Sequence, residues 1–161
     1  EGSITNAERV LITAAPHTSN WDAVLGIAAV LGLNVRLHFL GKHTIFVPGL
    51  RWFMRWLGGI PVNRQNPEGV IEHVNQLVEK HDGLVIVIAP EGTRKKTEKW
   101  KTGFLRIAEA NNCKIQMAAL DFEHKRIVLG DLYQPTGDNQ ADIANIKQWY
   151  TQFKGKYPDQ F

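Results

Sequence analysis

The chain has 161 residues, of which 43% are hydrophobic and 22% charged, and its formal net charge at pH 7 is +3. This length and hydrophobic content predict one domain, residues 1–161, with a single core, and the one cysteine excludes an internal disulfide bond. The longest wholly apolar run, Ala23 to Leu33, is well short of the roughly 20 residues that cross a bilayer, so no membrane-spanning helix is expected.

Apolar runs of strand length alternate along the chain with longer runs of helical periodicity. Strands are predicted near Val10 to Thr13, Val35 to Phe39, Ile60 to Val62, Leu84 to Ala89, Ile115 to Leu120 and Arg126 to Leu129. Helices are predicted near Trp21 to Leu31, Gly49 to Trp56, Pro67 to Glu79, Gly103 to Ala110 and Asp138 to Phe153. The periodicity of the last helix places Ile143, Ile146, Trp149, Tyr150 and Phe153 on one apolar side. This order predicts a single-domain α/β fold with a mostly parallel central sheet flanked by helices, in which the last two strands form an antiparallel edge. Polar residues that follow the strands would then gather at one edge of the sheet, where such folds place their sites.

The first polar segment, Pro16 to Asp22, joins the first strand to the first helix and contains a histidine and an aspartate five positions apart. On a continuous helix these two side chains would point apart, so they can meet only if the chain turns between them. Thr18 or Ser19 is a suitable N-cap, which places His17 in a loop and Asp22 in the first helical turn.

A carboxylate in that position can hold the imidazole of His17 in one tautomer and stabilise its protonated form. The pair therefore corresponds to the base and the orienting acid of a catalytic triad without the nucleophilic serine, and the substrate would supply the attacking hydroxyl. The alternative is structural: Ser19 and Asp22 have the spacing of a capping box, and His17 would then be an ordinary loop residue.

Two further strands are followed by polar residues. The apolar run Leu84 to Ala89 ends in the sequence Pro90-Glu91-Gly92-Thr93-Arg94. The short strand around Ile60, which is preceded by two glycines, is followed by Arg64. Because an arginine fork matches the oxygens of a phosphate, Arg64 is a candidate phosphate ligand.

With these three segments the chain resembles the glycerolipid acyltransferases that include the 1-acylglycerol-3-phosphate acyltransferases. The first motif of that family matches His17 to Asp22, the second matches Gly59 to Arg64 and the third matches Glu91 to Arg94. A recurrent lysine of the family matches Lys42. The resemblance runs in order from about His17 to Leu120 and so covers most of the chain.

The resemblance implies transfer of a fatty acyl group from a thioester, either acyl-CoA or acyl carrier protein, to a hydroxyl of a lysophospholipid or glycerol phosphate acceptor. It implies His17 as the general base and Asp22 as its partner. No metal is required, and no cofactor is expected apart from the acyl donor as co-substrate. Substrate-binding roles follow for Lys42, Arg64, Glu91, Gly92, Thr93 and Arg94. Because a carboxylate repels phosphate, we expect Glu91 to bind a glycerol hydroxyl or to orient Arg64 or Arg94.

A candidate membrane contact lies in the segment Val47 to Leu57. Arg51 and Arg55 are four residues apart, and Trp52 and Trp56 form the neighbouring stripe of the predicted helix. Arginine beside tryptophan is typical of segments that rest at the headgroup level of anionic lipid. This interpretation predicts a cytoplasmic protein bound peripherally at the inner membrane surface. The alternative is a core helix whose two arginines face solvent.

A cluster of cations directly follows the third motif. It consists of Arg94, Lys95, Lys96, Lys99 and Lys101, opposed by Glu98. Such a cluster favours an anionic partner, for which coenzyme A phosphates, an acyl carrier protein and a membrane surface are candidates, although it is also typical of an ordinary solvated face. Nucleic acid is not expected, because the sequence has no recognition helix or RNA-binding aromatic signature.

Two other functions remain open from the residues alone. A thioesterase is the nearest enzymatic alternative, because His17 and Asp22 could activate water as readily as an alcohol. A lipid-binding module without catalysis could use the tryptophans and the basic cluster. The remaining histidines form no zinc-binding pattern, so no metal site is predicted. Cys113, which has no helix start or histidine beside it, is expected to be structural.

Overall fold

The computed structural model describes residues 1–4, 9–33, 37–63, 67–80 and 84–161. Its strands are β1 (Arg9–Ala15), β2 (His38–Lys42), β3 (Gly59–Val62), β4 (Leu84–Ile88), β5 (Lys114–Asp121) and β6 (Arg126–Tyr133). Its helices are α1 (Trp21–Leu33), α2 (Arg51–Trp56), α3 (Pro67–Lys80), α4 (Gly103–Ala110) and α5 (Asn139–Tyr150), with short 3-10 turns at His43–Ile45 and Pro158–Gln160.

The strands form one sheet in the order β3-β2-β4-β1-β5-β6, and neighbouring strands are parallel except for β5 and β6. The predicted α/β fold with a mostly parallel sheet and an antiparallel edge is therefore confirmed. β1 lies between β4 and β5, and its register pairs Thr13 with Ile88 and Ala15 with Ala119. The loops that follow β1 and β4 consequently leave the sheet side by side at one edge.

One face of the sheet carries the larger core. Side chains alternate between the two faces along a strand, so Leu11 of β1, Ile86 of β4 and Ile115 of β5 are buried together with residues of α3, α4 and α5. The apolar face predicted for the last helix is confirmed, because Ile146 and Tyr150 are fully buried in this core.

The opposite face carries a smaller cluster of buried residues, namely Val10, Ile12 and Ala118. Helix α1 is apolar along most of its length, yet Val24 and Leu25 are exposed. Within the described residues, none of the helices combines the length and the hydrophobicity that crossing a bilayer requires.

The observed elements differ from the predicted ones mainly at their ends. Strand β2 begins at His38 and continues to Lys42, because Gly41 and Lys42 pair with the neighbouring strand β3; the predicted start at Val35 lies outside the described residues. β6 extends to Tyr133 for the same reason, since its last residues pair with β5. Helix α5 is shorter than predicted: the side chain of Asp138 caps its first turn, and the helix ends at Tyr150.

Candidate active site

The imidazole of His17 and the carboxylate of Asp22 are in contact at the junction of β1 and α1. The distance from His17 Nδ1 to Asp22 Oδ2 is 3.1 Å, and 29% of the His17 side chain is exposed against 1% of Asp22. As predicted, His17 lies in the loop and Asp22 in the first turn of the helix. Because Nδ1 faces the carboxylate, Nε2 is the ring nitrogen that can exchange a proton with a substrate.

Asp22 is held in place by the loop that it closes. Its Oδ2 accepts the backbone N–H groups of Thr18 and Ser19 at 2.7 and 2.8 Å, and its Oδ1 accepts the Ser19 hydroxyl at 3.1 Å. Burial alone would raise the pKa of Asp22, but the hydrogen bonds from His17 and from the Ser19 amide outweigh burial and lower this pKa. The capping contacts and the pair with His17 therefore occur together, through one ionised carboxylate.

Glu91, in the loop after β4, supports the backbone of the same histidine. Its two carboxylate oxygens accept the N–H of His17 at 3.0 and 3.1 Å. Burial, with a smaller contribution from the nearby charge of Asp22, raises the pKa of Glu91 to about 8 against the opposing hydrogen bond from the His17 N–H. The carboxyl group thus lies beneath the His17 loop, whereas the sequence-based expectation was a contact with a glycerol hydroxyl or with an arginine.

Arg94 connects the third motif to the first. Its guanidinium donates a hydrogen bond to the side-chain oxygen of Asn20, so the loop after β4 and the loop after β1 are joined at their exposed ends as well as through Glu91. Arg94 itself is exposed and can present its other N–H groups to an anion. Arg64, the other predicted phosphate ligand, lies outside the described residues.

A large open cleft of about 2160 Å³ joins these residues. The predicted site residues that line it are His17, Asp22, Lys42, Gly92, Thr93 and Arg94. Its apolar wall is formed by the smaller-core face of the sheet, including Ile12 and Val87, and by Ile27 of α1. The cleft therefore combines the His17 imidazole, several cations and an apolar wall, whereas Glu91 lies behind its surface.

Comparison with known proteins gives the family of the chain. The acyltransferase family model matches residues 3–120, which include both of the described loops. This chain belongs to the acyltransferase family.

Two curated relatives illustrate the match of this acyltransferase chain. It is 33% identical over 86 residues to the chloroplastic 1-acyl-sn-glycerol-3-phosphate acyltransferase LPAT1 of Arabidopsis thaliana, covering 52% of this chain and 24% of that protein. It is 26% identical over 151 residues to the 1-acyl-sn-glycerol-3-phosphate acyltransferase of Streptococcus pneumoniae, covering 90% of this chain and 55% of that protein. The chain thus spans from about a quarter to about half of these curated relatives.

A solved structure with a similar fold is the 1-acyl-sn-glycerophosphate (LPA) acyltransferase PlsC from Thermotoga maritima. The TM-score is 0.65 at 20% sequence identity, and the similarity covers 94% of this chain and 68% of the PlsC chain. At this level of identity the comparison supports the α/β acyltransferase fold that the sequence predicted.

The end of strand β1 that leads to the candidate site is held by buried hydrogen bonds that the sequence analysis missed. The hydroxyl of Tyr150 on α5 donates to the Thr13 carbonyl, lies 2.9 Å from the Thr13 hydroxyl and accepts the Ala118 N–H at 3.2 Å. Burial raises the pKa of Tyr150, so it stays a neutral phenol. The sequence signal was present but ambiguous, because Tyr150 belongs to an apolar helical stripe and its hydroxyl partners are distant in sequence.

Other polar groups of this acyltransferase do not belong to the three sequence motifs. Asp121, Glu123 and His124 could ligate a metal ion, but Asp121 already binds His124 and Arg126 at 2.7 and 3.0 Å, and Glu123 binds Lys154 at 2.6 Å. Cys113 is buried, and burial raises the pKa of its thiol, as expected for a structural cysteine.

The exposure of the tryptophan-containing helix tests the prediction of a core helix. Helix α2 has no buried residue, and Trp52 and Trp56 are 69% and 68% exposed. The alternative of a core helix is therefore wrong. Exposed apolar side chains extend beyond α2 to Ile45, Val47 and Leu50.

Proposed function

We propose that this chain transfers a fatty acyl group from a thioester to the free hydroxyl of a lysophosphatidate-like glycerolipid. The observation that carries the proposal is the contact of 3.1 Å between His17 and Asp22 in a cleft that also contains Arg94 and Lys42. A base beside cations suits an acceptor that has both a hydroxyl and a phosphate. The names of the relatives, which are 1-acyl-sn-glycerol-3-phosphate acyltransferases, support the same acceptor class.

In the proposed reaction, Nε2 of His17 takes the proton of the acceptor hydroxyl as its oxygen attacks the thioester carbonyl. The tetrahedral intermediate then expels the thiolate, which receives the proton from the imidazolium, so that an ester and a free thiol are formed. Asp22 stabilises the imidazolium and keeps Nδ1 protonated throughout. General-base assistance of this kind contributes roughly 10² to 10⁴ in rate, and no acyl group is attached to the protein.

The acceptor phosphate would bind at the cationic side of the cleft. Arg94 can donate two parallel hydrogen bonds to phosphate oxygens, and the exposed Lys42 at the end of β2 adds a second positive charge. Uncharged donors at the same loop would be the hydroxyl of Thr93 and the backbone N–H groups that follow Gly92, whose own N–H already donates to the Ala89 carbonyl at 3.1 Å. We retain Arg64 as a further phosphate ligand on the basis of its sequence motif.

The donor would be acyl-CoA or acyl carrier protein. The apolar wall between the sheet and α1 suits a fatty acyl chain, because moving an apolar chain out of water lowers the free energy. Lys95 and Lys101 also line the cleft and are exposed, so the basic loop can approach the phosphates of coenzyme A or the acidic surface of a carrier protein.

The surface around α2 is proposed to contact the membrane that supplies the acceptor. Between Asp22 and Glu68 the sequence contains no acidic residue, whereas arginines and a lysine are spread through it. Exposed tryptophans beside Arg51 and Arg55 would therefore meet an anionic lipid surface without charge repulsion. The cleft residue Lys42 belongs to the same acid-free stretch.

A thiol-release assay tests the proposed function. The purified chain is incubated with acyl-CoA, with and without lysophosphatidate in anionic vesicles, and the lipid products are identified by mass. We expect thiol release that depends on the acceptor, together with a diacylated phospholipid product. Rapid thiol release without an acylated lipid would instead identify a thioesterase. Vesicle binding without thiol release under any condition would support the lipid-binding module.

A further inference from the structure

The segment Gly155–Phe161, which follows α5, lies against both loops of the site. The N–H of Tyr157 donates to the hydroxyl of Thr18 at 3.2 Å. The side-chain amide of Gln160 donates to the carbonyl of Thr18 at 3.1 Å and to that of Arg94 at 2.7 Å, and these two acceptors define the orientation of the amide. One side chain thus bridges the residue after His17 to the arginine of the third motif.

Close packing accompanies these hydrogen bonds. A Cβ atom added at Gly155 would lie 2.8 Å from both the Thr18 hydroxyl and its methyl group, and 3.1 Å from Cβ of Pro16. The ammonium group of Lys156 lies 4.7 Å from the ring centre of Trp21, which begins α1. The backbone of the segment therefore contacts the loop of the base directly on the side where α1 begins.

The segment is fixed to the body of the domain at its two ends. Its last residue, Phe161, packs against the buried ring of Trp100, with 6.3 Å between ring centres. At the start of the segment, the carbonyl of the preceding residue Lys154 accepts the N–H of Phe122, which follows β5. Phe153 is buried in the larger core. A segment held in this way can transmit the rigidity of the core to loops that it touches.

We propose that Gly155–Phe161 is a positioning element that sets the distance between the base and the phosphate-binding arginine. It lies beyond residues 3–120, where the acyltransferase family model matches. The loop of His17 and the loop of Arg94 follow different strands, and Gln160 joins their backbones from outside both loops. Fixing the two loops relative to each other fixes where the acceptor hydroxyl stands when its phosphate is bound. This inference rests on the proposed function, because it assigns the bridge a role in that reaction.

Positioning of the two loops by this segment should matter only for acceptors that carry a phosphate. An acceptor without phosphate, such as monoacylglycerol, or water acting as nucleophile, uses the base without using Arg94. Its reaction does not depend on the distance between the two loops. The ratio of kcat/KM for lysophosphatidate to that for the phosphate-free nucleophile therefore reports the positioning, and a lower fraction of folded protein leaves this ratio unchanged.

The first test uses two variants of the bridging residue, Gln160→Met, which removes its donors, and Gln160→Glu, which sets an acceptor against two carbonyls. We expect the ratio to fall about tenfold in both, because displacements of about 1 Å have large effects on rate. The Tm should change by no more than about 3 °C, since the lost hydrogen bonds are exposed. The matched control is Gln152→Glu, because the amide of Gln152 only donates to Trp149 within its own turn.

The second test introduces a methyl group between the segment and the loop. Gly155→Ala should lower the same ratio, because the added Cβ atom meets the Thr18 side chain at 2.8 Å. A ratio in the Gln160 variants that equals the ratio of the parent would overturn the inference. Absence of acyl transfer in the parent chain would instead contradict the proposed function, so the two failures are distinguishable.

Discussion

Both carboxyl oxygens of Glu91 accept the backbone N–H of His17, at 3.0 and 3.1 Å. The acid of the third motif therefore holds His17, the proposed base in the first motif, through the main chain and not through the imidazole. Glu91 is therefore a buried carboxyl group close to a second acid, Asp22. The protonation state of Glu91 consequently affects the stability of the His17 loop.

The first prediction concerns the pH dependence of stability. Burial raises the pKa of Glu91 from 4.5 to about 8, so the folded state binds this proton more tightly than the unfolded state. The resulting stabilisation is fully present below about pH 4.5 and is lost as the pH rises to about 8. Glu91→Gln removes this titration, and the Tm of the variant minus that of the parent should increase steadily between pH 5 and pH 9. Thermal unfolding across this range measures it, and two parallel Tm curves would contradict a buried, titrating Glu91.

The second prediction concerns the charge of Asp22. In Asp22→Asn the amide oxygen can still accept from His17, Thr18 and Ser19 while its nitrogen faces the Ser19 hydroxyl, so the loop should keep its shape. The negative charge that stabilises the imidazolium is lost. We expect kcat for acyl transfer to fall by about 10² or more, with little change in KM.

The control for this variant is Asp138→Asn, which makes the same chemical change at the exposed N-cap of α5, where asparagine caps equally well. It should retain the activity of the parent. Undiminished kcat in Asp22→Asn would show that the carboxylate charge has no part in the reaction.

The parts of the site that sequence analysis predicted are local in the chain. The pair of His17 and Asp22 could be predicted because a turn and a helix start decide their approach, and both signals lie within a few residues. The contact of Glu91 with the His17 amide could not, because its donor is a backbone group 74 positions away. A backbone N–H has the same chemistry in almost every residue, so sequence gives no indication of which one a buried acid will bind.

The fold likewise has features that local sequence signals predict and features that depend on contacts between distant residues. The mostly parallel sheet follows from the alternation of apolar runs and helices, but the order of the strands in it does not, and β2 continues beyond its apolar residues to Lys42 because Val62 offers a partner in β3. Tyr150 was assigned correctly to the buried face of its helix from periodicity. Its hydroxyl contacts with Thr13 and Ala118 depend on how α5 lies across the sheet, which is a tertiary property.

The third prediction concerns the phosphate site. Arg94→Ala should raise KM for lysophosphatidate by about tenfold or more, because a charged hydrogen-bonded pair contributes about 1.5 to 3 kcal/mol. Transfer to monoacylglycerol, which has no phosphate, should change little. Steady-state kinetics with both acceptors measure the difference. Arg9→Ala is the matched control, since Arg9 begins β1 at the opposite end of the strand from the site. Equal losses with both acceptors would rule out phosphate binding by Arg94.

The fourth prediction concerns the surface around α2. Replacing both Trp52 and Trp56 by serine removes two largely exposed apolar side chains, so the fold should lose little stability. Each tryptophan buried in a lipid headgroup layer contributes on the order of 1 to 2 kcal/mol, and binding to vesicles that contain phosphatidylglycerol should therefore weaken by at least about tenfold. Vesicle sedimentation measures this change.

Charge and hydrophobicity can be separated at the same surface. Arg51→Gln with Arg55→Gln should weaken binding to anionic vesicles, and added salt should reproduce the effect on the parent, while binding to neutral vesicles should stay the same. Lys114→Gln with Lys125→Gln removes the same charge at the two ends of the β5 and β6 pair and serves as the control.

If a water-soluble short-chain acceptor restores full activity to the variant in which Trp52 and Trp56 are replaced, α2 supplies membrane contact and not catalysis. If the tryptophan variant binds anionic vesicles as tightly as the parent, the membrane contacts a different surface of the protein.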